Sequence, residues 1–272
     1  MRVGFIGLGS QGGPMARQIA EAGFPTTLWA RRPASLEPFA DTAAKVAGSP
    51  AELAASSDLV CLCVVGDADV EEVTGGENGV LAGLKPGGVI AIHSTVHPKT
   101  CHKLAQRAGA QGIAVIDAPV SGGAPAVAER RLLVMVGGDA DVVESCRPVF
   151  ETYANPIVHT GDLGSGQTTK LLNNLLFTAN LGTAATALAL GEALGVLPDR
   201  LTDVISRGSG NSFALNALGG DTGGLDRLAG LAGTLLQKDV RLVADLANAA
   251  AVPGGAVLDT ADATLTLMKH PR

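Results

Sequence analysis

Apolar residues come first in short runs and then, past the middle of the chain, in helical stripes. Val3 to Leu8, Leu59 to Val65 (LVCLCVV), Val89 to Ile92, Ile113 to Ile116, Leu132 to Val136 and Ile157 to Thr160 are runs of this kind, and Thr26 to Trp29 is strand-like as well. Continuous apolar runs suit strands covered on both faces of a parallel sheet. Between them lie stretches such as Ser10 to Gly23, where Met15, Ile19 and Ala22 recur at helical spacing. Alternating strands and helices predict a doubly wound α/β domain with right-handed crossovers, whose ligands bind beyond the C-terminal strand ends. The loops expected there are Val65-Gly66-Asp67, His93-Ser94-Thr95 and Asp117 to Gly123. Past Gly161 the pattern turns wholly helical, so two domains are expected, 1–160 and 161–272. No internal repeat or low-complexity linker separates them.

The first strand ends in Gly7-Leu8-Gly9-Ser10-Gln11-Gly12, a GxGxxG pattern set between a strand and a helix. There the first glycine permits the tight turn, the second lets backbone approach a pyrophosphate, and the third allows close helix packing. The domain therefore reads as a Rossmann-type dinucleotide-binding fold. An acid at the end of the second strand would accept hydrogen bonds from the ribose of NAD. This chain has Ala30-Arg31-Arg32 there and no acid until Glu37. Two guanidinium groups where a 2′-phosphate would lie favour NADP(H), although a pair of solvated arginines has the same spacing. Val64 and Val65, closing the third apolar strand, are expected beside the same cofactor.

The stretch Gly161 to Asn174 (GDLGSGQTTKLLNN) carries the other chemistry. A glycine-broken turn runs into a helix on which Lys170 and Asn174, four residues apart, share a face and can touch one small polar ligand. From Leu171 to Leu190 there is no charged side chain, and apolar residues go all round the cylinder, as expected of a buried helix. A lysine at the mouth of so apolar a helix loses hydration. Its pKa is expected to fall from about 10.4 toward the range useful for proton transfer. A lysine snorkelling from the helix end to water fits the spacing equally.

Composition narrows the partners. A formal charge of −6, with no basic stripe or arm, argues against a nucleic-acid or anionic-membrane partner. The start, MRVGFIGLG, reaches glycines too soon for an export signal. The Leu171 to Leu190 run is long enough to tempt a membrane reading. Its asparagines and threonines make it a core helix instead. Cys61, Cys63, Cys101 and Cys146 form no CxxC pair or zinc cluster and suit a reduced, cytoplasmic interior.

Taken together, GLGSQGGPMARQIAEAG near the start, DAPVSGG at Asp117 to Gly123, GSGQTTKLLNN at Gly164 to Asn174 and KDVRL at Lys238 to Leu242 resemble the β-hydroxyacid dehydrogenase family over most of the chain. The resemblance implies a Rossmann-type domain followed by an all-helical C-terminal domain, with the long helix after Gly164 joining them. It implies Lys170 as general acid in reduction and base in oxidation, and Asn174 as a substrate-holding residue. Ser121, Gly122 and Gly123 become the loop that binds the substrate carboxylate, although SGG alone is equally a plain turn. Thr95 falls beside the nicotinamide ribose and Lys238 near the cofactor. Without the resemblance, Lys238-Asp239 reads as a solvated helix face. The expected partner is a short carboxylate-bearing aldehyde, no metal is needed, and the molecule should be a homodimer or homotetramer.

The chain also departs from that pattern. Gln11 stands where methionine is usual, Val65 where proline commonly follows the third strand, and His93 precedes Ser94. Arg130-Arg131 replace a Gly-Thr and can be read as recognising a second anionic group or as surface charges. Leu225 to Leu236 lacks the aromatic residues often found there, which leaves substrate choice open. Two alternatives stand beside a semialdehyde reductase. One is an imine reductase on the same fold, against which Lys170 counts. The other is a non-catalytic NADP(H)-binding sensor or scaffold, against which the retained lysine and SGG loop count.

Overall fold

In the computed structural model, which describes residues 1–219 and 224–272, the chain separates into two compact units, Met1–Lys170 and Leu171–Arg272. The first is built on a sheet of nine strands among the described residues. They are β1 (Val3–Ile6), β2 (Thr26–Trp29), β3 (Lys45–Val46), β4 (Leu59–Leu62), β5 (Val89–Ile92), β6 (Ala114–Asp117), β7 (Val120–Ser121), β8 (Leu132–Gly137) and β9 (Ala154–Gly161). The order is β3-β2-β1-β4-β5-β6-β8-β7, with β9 also paired to β8. From β3 to β6 all pairings are parallel; β8 runs antiparallel to β6 and β7 and parallel to β9.

The helices of this unit are α1 (Gly12–Glu21), α2 (Pro50–Ala55), α3 (Asp67–Thr74), α4 (Val80–Gly83), α5 (Pro98–Gly109), α6 (Gly123–Ala128) and α7 (Ala140–Phe150). The strand period of two sorts side chains between two cores. Val3, Phe5, Leu59, Cys61 and Ala91 pack on one side with Met15 and Ile19 of α1 and Val149 and Phe150 of α7. Ile6, Val60, Leu62, Ile90 and Ile92 pack on the other with Leu53 of α2, Val70 of α3 and Leu104 of α5. Such fully buried residues are the ones whose truncation to alanine costs about 2–5 kcal/mol.

The sequence-predicted strands are all present, Thr26–Trp29 and Val89–Ile92 with the expected bounds and the others with shifted ends. Val3 to Leu8 stops at Ile6 because Gly7, at φ +100°, turns the chain out of the sheet. Leu59 to Val65 stops at Leu62, and the Val64 amide leaves the ladder for the Ser94 hydroxyl. The two-residue strands β3 and β7 are too short to leave a periodic signal.

Helix α8 (Ser165–Ala193) begins in the first unit and continues into the second, where α9 (Pro198–Arg207), α10 (Phe213–Leu218), α11 (Gly224–Ala249) and α12 (Gly255–Leu267) follow. Leu171, Leu175 and Leu181 of α8 form its core with Leu218, Leu236, Val240 and Leu265. Gly182 lies so close to Thr264 of α12 that any Cβ would collide with it. Within the single chain α8 is covered on one side only. Leu172, Leu176 and Leu190 are 53%, 54% and 61% exposed, because the neighbouring helices of a unit this small cover only one side of a 29-residue helix. No helix among the described residues is long and apolar enough to cross a membrane.

Candidate active site

The three glycines of the first turn do different work. A Cβ on Gly7 would strike the Cys63 carbonyl, and one on Gly12 would lie 2.9 Å from Cys63 Cβ and 3.0 Å from the Phe5 ring. Both are packing positions, where only glycine fits. Above Gly9 there is nothing within 4 Å. Helix α1 starts without a side-chain cap: Gln11 makes no capping bond, and its amide lies 3.9 Å from Met15 Sδ. Open space over Gly9 beside an uncapped helix N-terminus is the cradle a pyrophosphate needs. Ser10 is exposed in the same turn.

A cleft of about 360 Å³ opens from this turn, and Gly7, Gly9, Arg31, Arg32, Val64 and Val65 all line it. The structure thus gathers most of the predicted cofactor residues. It adds one that the sequence reading missed. Asp69 of α3 also lines the cleft, and together with Glu72 it accepts hydrogen bonds of 2.9 Å from Arg31 Nη2. Arg32 is exposed and makes no ion pair among the described residues. An acid therefore does face the cleft, supplied by α3 instead of the β2 end, where it was sought.

Beyond the sheet, buried polar side chains fasten the start of α8. Asp117, at the end of β6 and fully buried, accepts from the backbone N–H groups of Gly164 and Gln167, each at 2.6 Å. Burial pushes its carboxyl pKa up, and those two amides oppose the shift by stabilising the charge. Gln167, also fully buried, donates from Nε2 to the Ser94 carbonyl (2.8 Å) and accepts at Oε1 from Val96 N–H (3.1 Å). Ser94 Oγ in turn accepts from Val64 N–H at 2.8 Å. Lys170 lies one turn past Gln167 and is only 8% exposed, while Thr95, between Ser94 and Val96, is partly buried. Neither Asp117 nor Gln167 was assigned a role from sequence. The available signal was a polar residue ending an apolar strand and a glutamine in a glycine turn.

Ser121 closes β7 opposite Leu133, after which Gly122 and Gly123 adopt φ +131° and +71° and α6 begins. These left-handed angles suit glycine and let consecutive backbone amides face one anion. Arg131 pairs with Glu129 beside it, and Arg130, at φ +54°, is exposed.

In the second unit Asn174 Nδ2 donates to Asp239 Oδ2 at 2.6 Å, and Asp239 Oδ1 lies 3.2 Å from Lys238 Nζ. Two predicted site residues, Asn174 and Lys238, therefore meet through a third. Asp239 is 3% exposed, so Lys238-Asp239 is not the solvated face that the residues alone suggested. Its carboxylate is reached from two helices, by Asn174 of α8 and Lys238 of α11.

Comparison with known proteins follows the same division. Residues 2–161 match the family described as the NAD binding domain of 6-phosphogluconate dehydrogenase. Residues 164–268 match the family described as NAD-binding of NADP-dependent 3-hydroxyisobutyrate dehydrogenase. The chain is 34% identical to a 2-(hydroxymethyl)glutarate dehydrogenase of Eubacterium barkeri, over 93% of this chain and 84% of that one. It is 32% identical to an NAD-dependent L-serine dehydrogenase of Pseudomonas aeruginosa, over 92% and 86%. Among solved structures, a 3-hydroxyisobutyrate dehydrogenase of Mycobacterium tuberculosis with L-serine superposes with a TM-score of 0.86 at 28% identity, covering 99% of this chain and 94% of that one.

Proposed function

The chain belongs to the β-hydroxyacid dehydrogenase family, and on that premise we propose that it is a cytoplasmic, NADP(H)-dependent oxidoreductase interconverting a short β-hydroxy acid and its semialdehyde, or reducing a 2-oxo acid such as glyoxylate. Residues 1–160 act as the cofactor domain and 161–272 as the helical substrate and dimerisation domain. The observation that carries the reading is a buried lysine, Lys170, on a helix whose first turn is hydrogen-bonded to the loop holding Thr95.

The bound nicotinamide supplies the hydride in reduction and accepts it in oxidation. Gly7, Gly9, Ser10, Gln11 and Gly12 hold the pyrophosphate, Thr95 the nicotinamide ribose, and Val64 and Val65 the walls of the cleft, with Lys238 near the cofactor. Ser121, Gly122 and Gly123 bind the substrate carboxylate through the Ser121 hydroxyl and their N–H groups. Lys170 gives its proton to the alkoxide oxygen formed in reduction, and its neutral amine takes the hydroxyl proton in oxidation. Asn174 holds the substrate with its amide oriented by Asp239. Fixing the reactants and stabilising the oxyanion supply the catalysis.

NADP(H) is supported by Arg31 and Arg32 at the cleft. The pairing of Arg31 with Asp69 and Glu72 favours a second reading, NAD(H), since a 2′-phosphate must compete with two carboxylates for that guanidinium. The test is absorbance at the nicotinamide band with NADPH and with NADH. The panel is glyoxylate, succinic, methylmalonate and tartronate semialdehydes and a cyclic imine, with 2-(hydroxymethyl)glutarate and L-serine in oxidation by NADP+ or NAD+. Turnover of one acid substrate, faster with NADPH, is expected, and Arg31→Ala should weaken NADPH binding at least tenfold. A preference for NADH untouched by Arg31→Ala contradicts the cofactor assignment. Turnover of the imine alone contradicts the reaction.

A further inference from the structure

Two buried side chains with no role in the chemistry join the loops of the first unit to the helix that carries Lys170. Gln167 spans the gap with both ends of its amide, donating to the Ser94 carbonyl at 2.8 Å and accepting from Val96 N–H at 3.1 Å, on either side of Thr95. Its backbone N–H, with that of Gly164, is taken by Asp117 at 2.6 Å. The run continues through Ser94 Oγ to Val64 N–H at 2.8 Å, at the edge of the cofactor cleft. The surroundings are built to admit it. A Cβ on Gly166 would lie 2.8 Å from Asp117 Oδ2, and one on Gly137 would lie 2.5 Å from Asp117 Oδ1 and 2.8 Å from Ser165 Oγ.

We propose that Gln167, braced by Asp117, is a positioning residue that fixes Lys170 relative to the Ser94–Val96 loop and so sets the geometry of proton transfer. The amide is suited to this task because it donates and accepts at once, matching a carbonyl and an N–H two residues apart on one loop. Asp117 suits the other side because a carboxylate takes both amides of the helix start, whereas an asparagine turns an NH₂ group toward one of them. Lys170 follows Gln167 by three residues in the same helix, so a shift of that first turn carries the lysine with it. A displacement of about 1 Å in a reacting group is enough to cost on the order of 10²-fold in rate.

This inference rests on Lys170 as the acid and base, and the experiment separates the two claims. Turnover of the wild-type protein, Gln167→Ala and Gln167→Glu is measured per NADPH-binding site, counted by fluorescence titration, so that unfolded protein does not enter. Gln167→Glu keeps the size and the acceptor for Val96 but sets a carboxylate oxygen against the Ser94 carbonyl. Both variants should lose about 10²-fold in kcat, with KM and NADPH affinity within about threefold of wild type. A lower Tm with unchanged kcat per binding site would make Gln167 a stabilising residue only and overturn the proposal. Hydrogen exchange gives a readout that needs no substrate. Protection should fall in residues 94–97 and 164–170 together in Gln167→Ala, and loss confined to 164–170 would overturn the link. Absence of wild-type turnover on every substrate, with the joint loss of protection retained, would fault the assigned reaction and leave the link standing.

Discussion

His93 shows at the scale of one residue how the cofactor loops are supported from beneath. Its ring stacks on Phe5 at 6.3 Å and 9°, meets Phe150 edge-on at 5.5 Å, and holds the Ala118 carbonyl at 2.7 Å through Nδ1. A carbonyl only accepts, so Nδ1 carries the proton, and the bare Nε2 accepts from Tyr153 Oη at 3.3 Å. Burial pushes the imidazole pKa down to about 4 from 6.5. Between those values the unfolded chain binds a proton that the folded one excludes. The stabilisation is therefore complete above pH 6.5 and lost as pH falls through 4, a change of about 3 kcal/mol. Urea unfolding at pH 7 and pH 4 should show this loss in the wild type and a much smaller one in His93→Gln. Equal slopes in the two proteins would contradict it. The sequence marked His93 only as an unusual neighbour of Ser94. Its burial depends on Phe150 and Tyr153, which lie more than fifty positions away and reach it only through the sheet. Asp117 and Gln167 were obscure for the same reason, since their partners are backbone groups of distant loops and leave no mark on side-chain identity.

At the scale of elements, the first strand-turn-helix was the most legible part of the chain, because its glycines are dictated by local geometry. The structure separates their tasks, and the separation can be tested. Gly9→Ala puts a methyl into open space and should leave stability within about 0.5 kcal/mol while weakening NADPH binding at least tenfold. Gly12→Ala forces a methyl against Gly7, Cys63 and Phe5 and should destabilise the fold by about 1–3 kcal/mol. Thermal unfolding and fluorescence titration distinguish the two, and an equal loss of stability in both would contradict the division. Helix α8 was legible in its start and length, and less so in which of its sides its own chain covers. Periodicity reports which residues are apolar, and what covers them depends on how many helices are at hand.

For the whole molecule, the apolar side of α8 left uncovered within one chain, with Leu172 and Leu176 a turn apart, supports the proposed homodimer. The variant Leu172→Glu/Leu176→Glu should halve the mass seen by light scattering, and an unchanged mass would remove this face from the interface. Architecture and family were legible because four separated motifs fall in order along the chain. The preference between cofactors was not, because the acids facing Arg31 come from α3 and are brought there by the fold. The central claim is that Lys170 moves the proton, and the most direct measurement compares Lys170→Ala with wild type on whichever acid substrate the panel identifies. Turnover is expressed per NADPH-binding site. The account predicts a fall in kcat of at least 10²-fold with NADPH affinity nearly unchanged. Retention of most of the activity would contradict it.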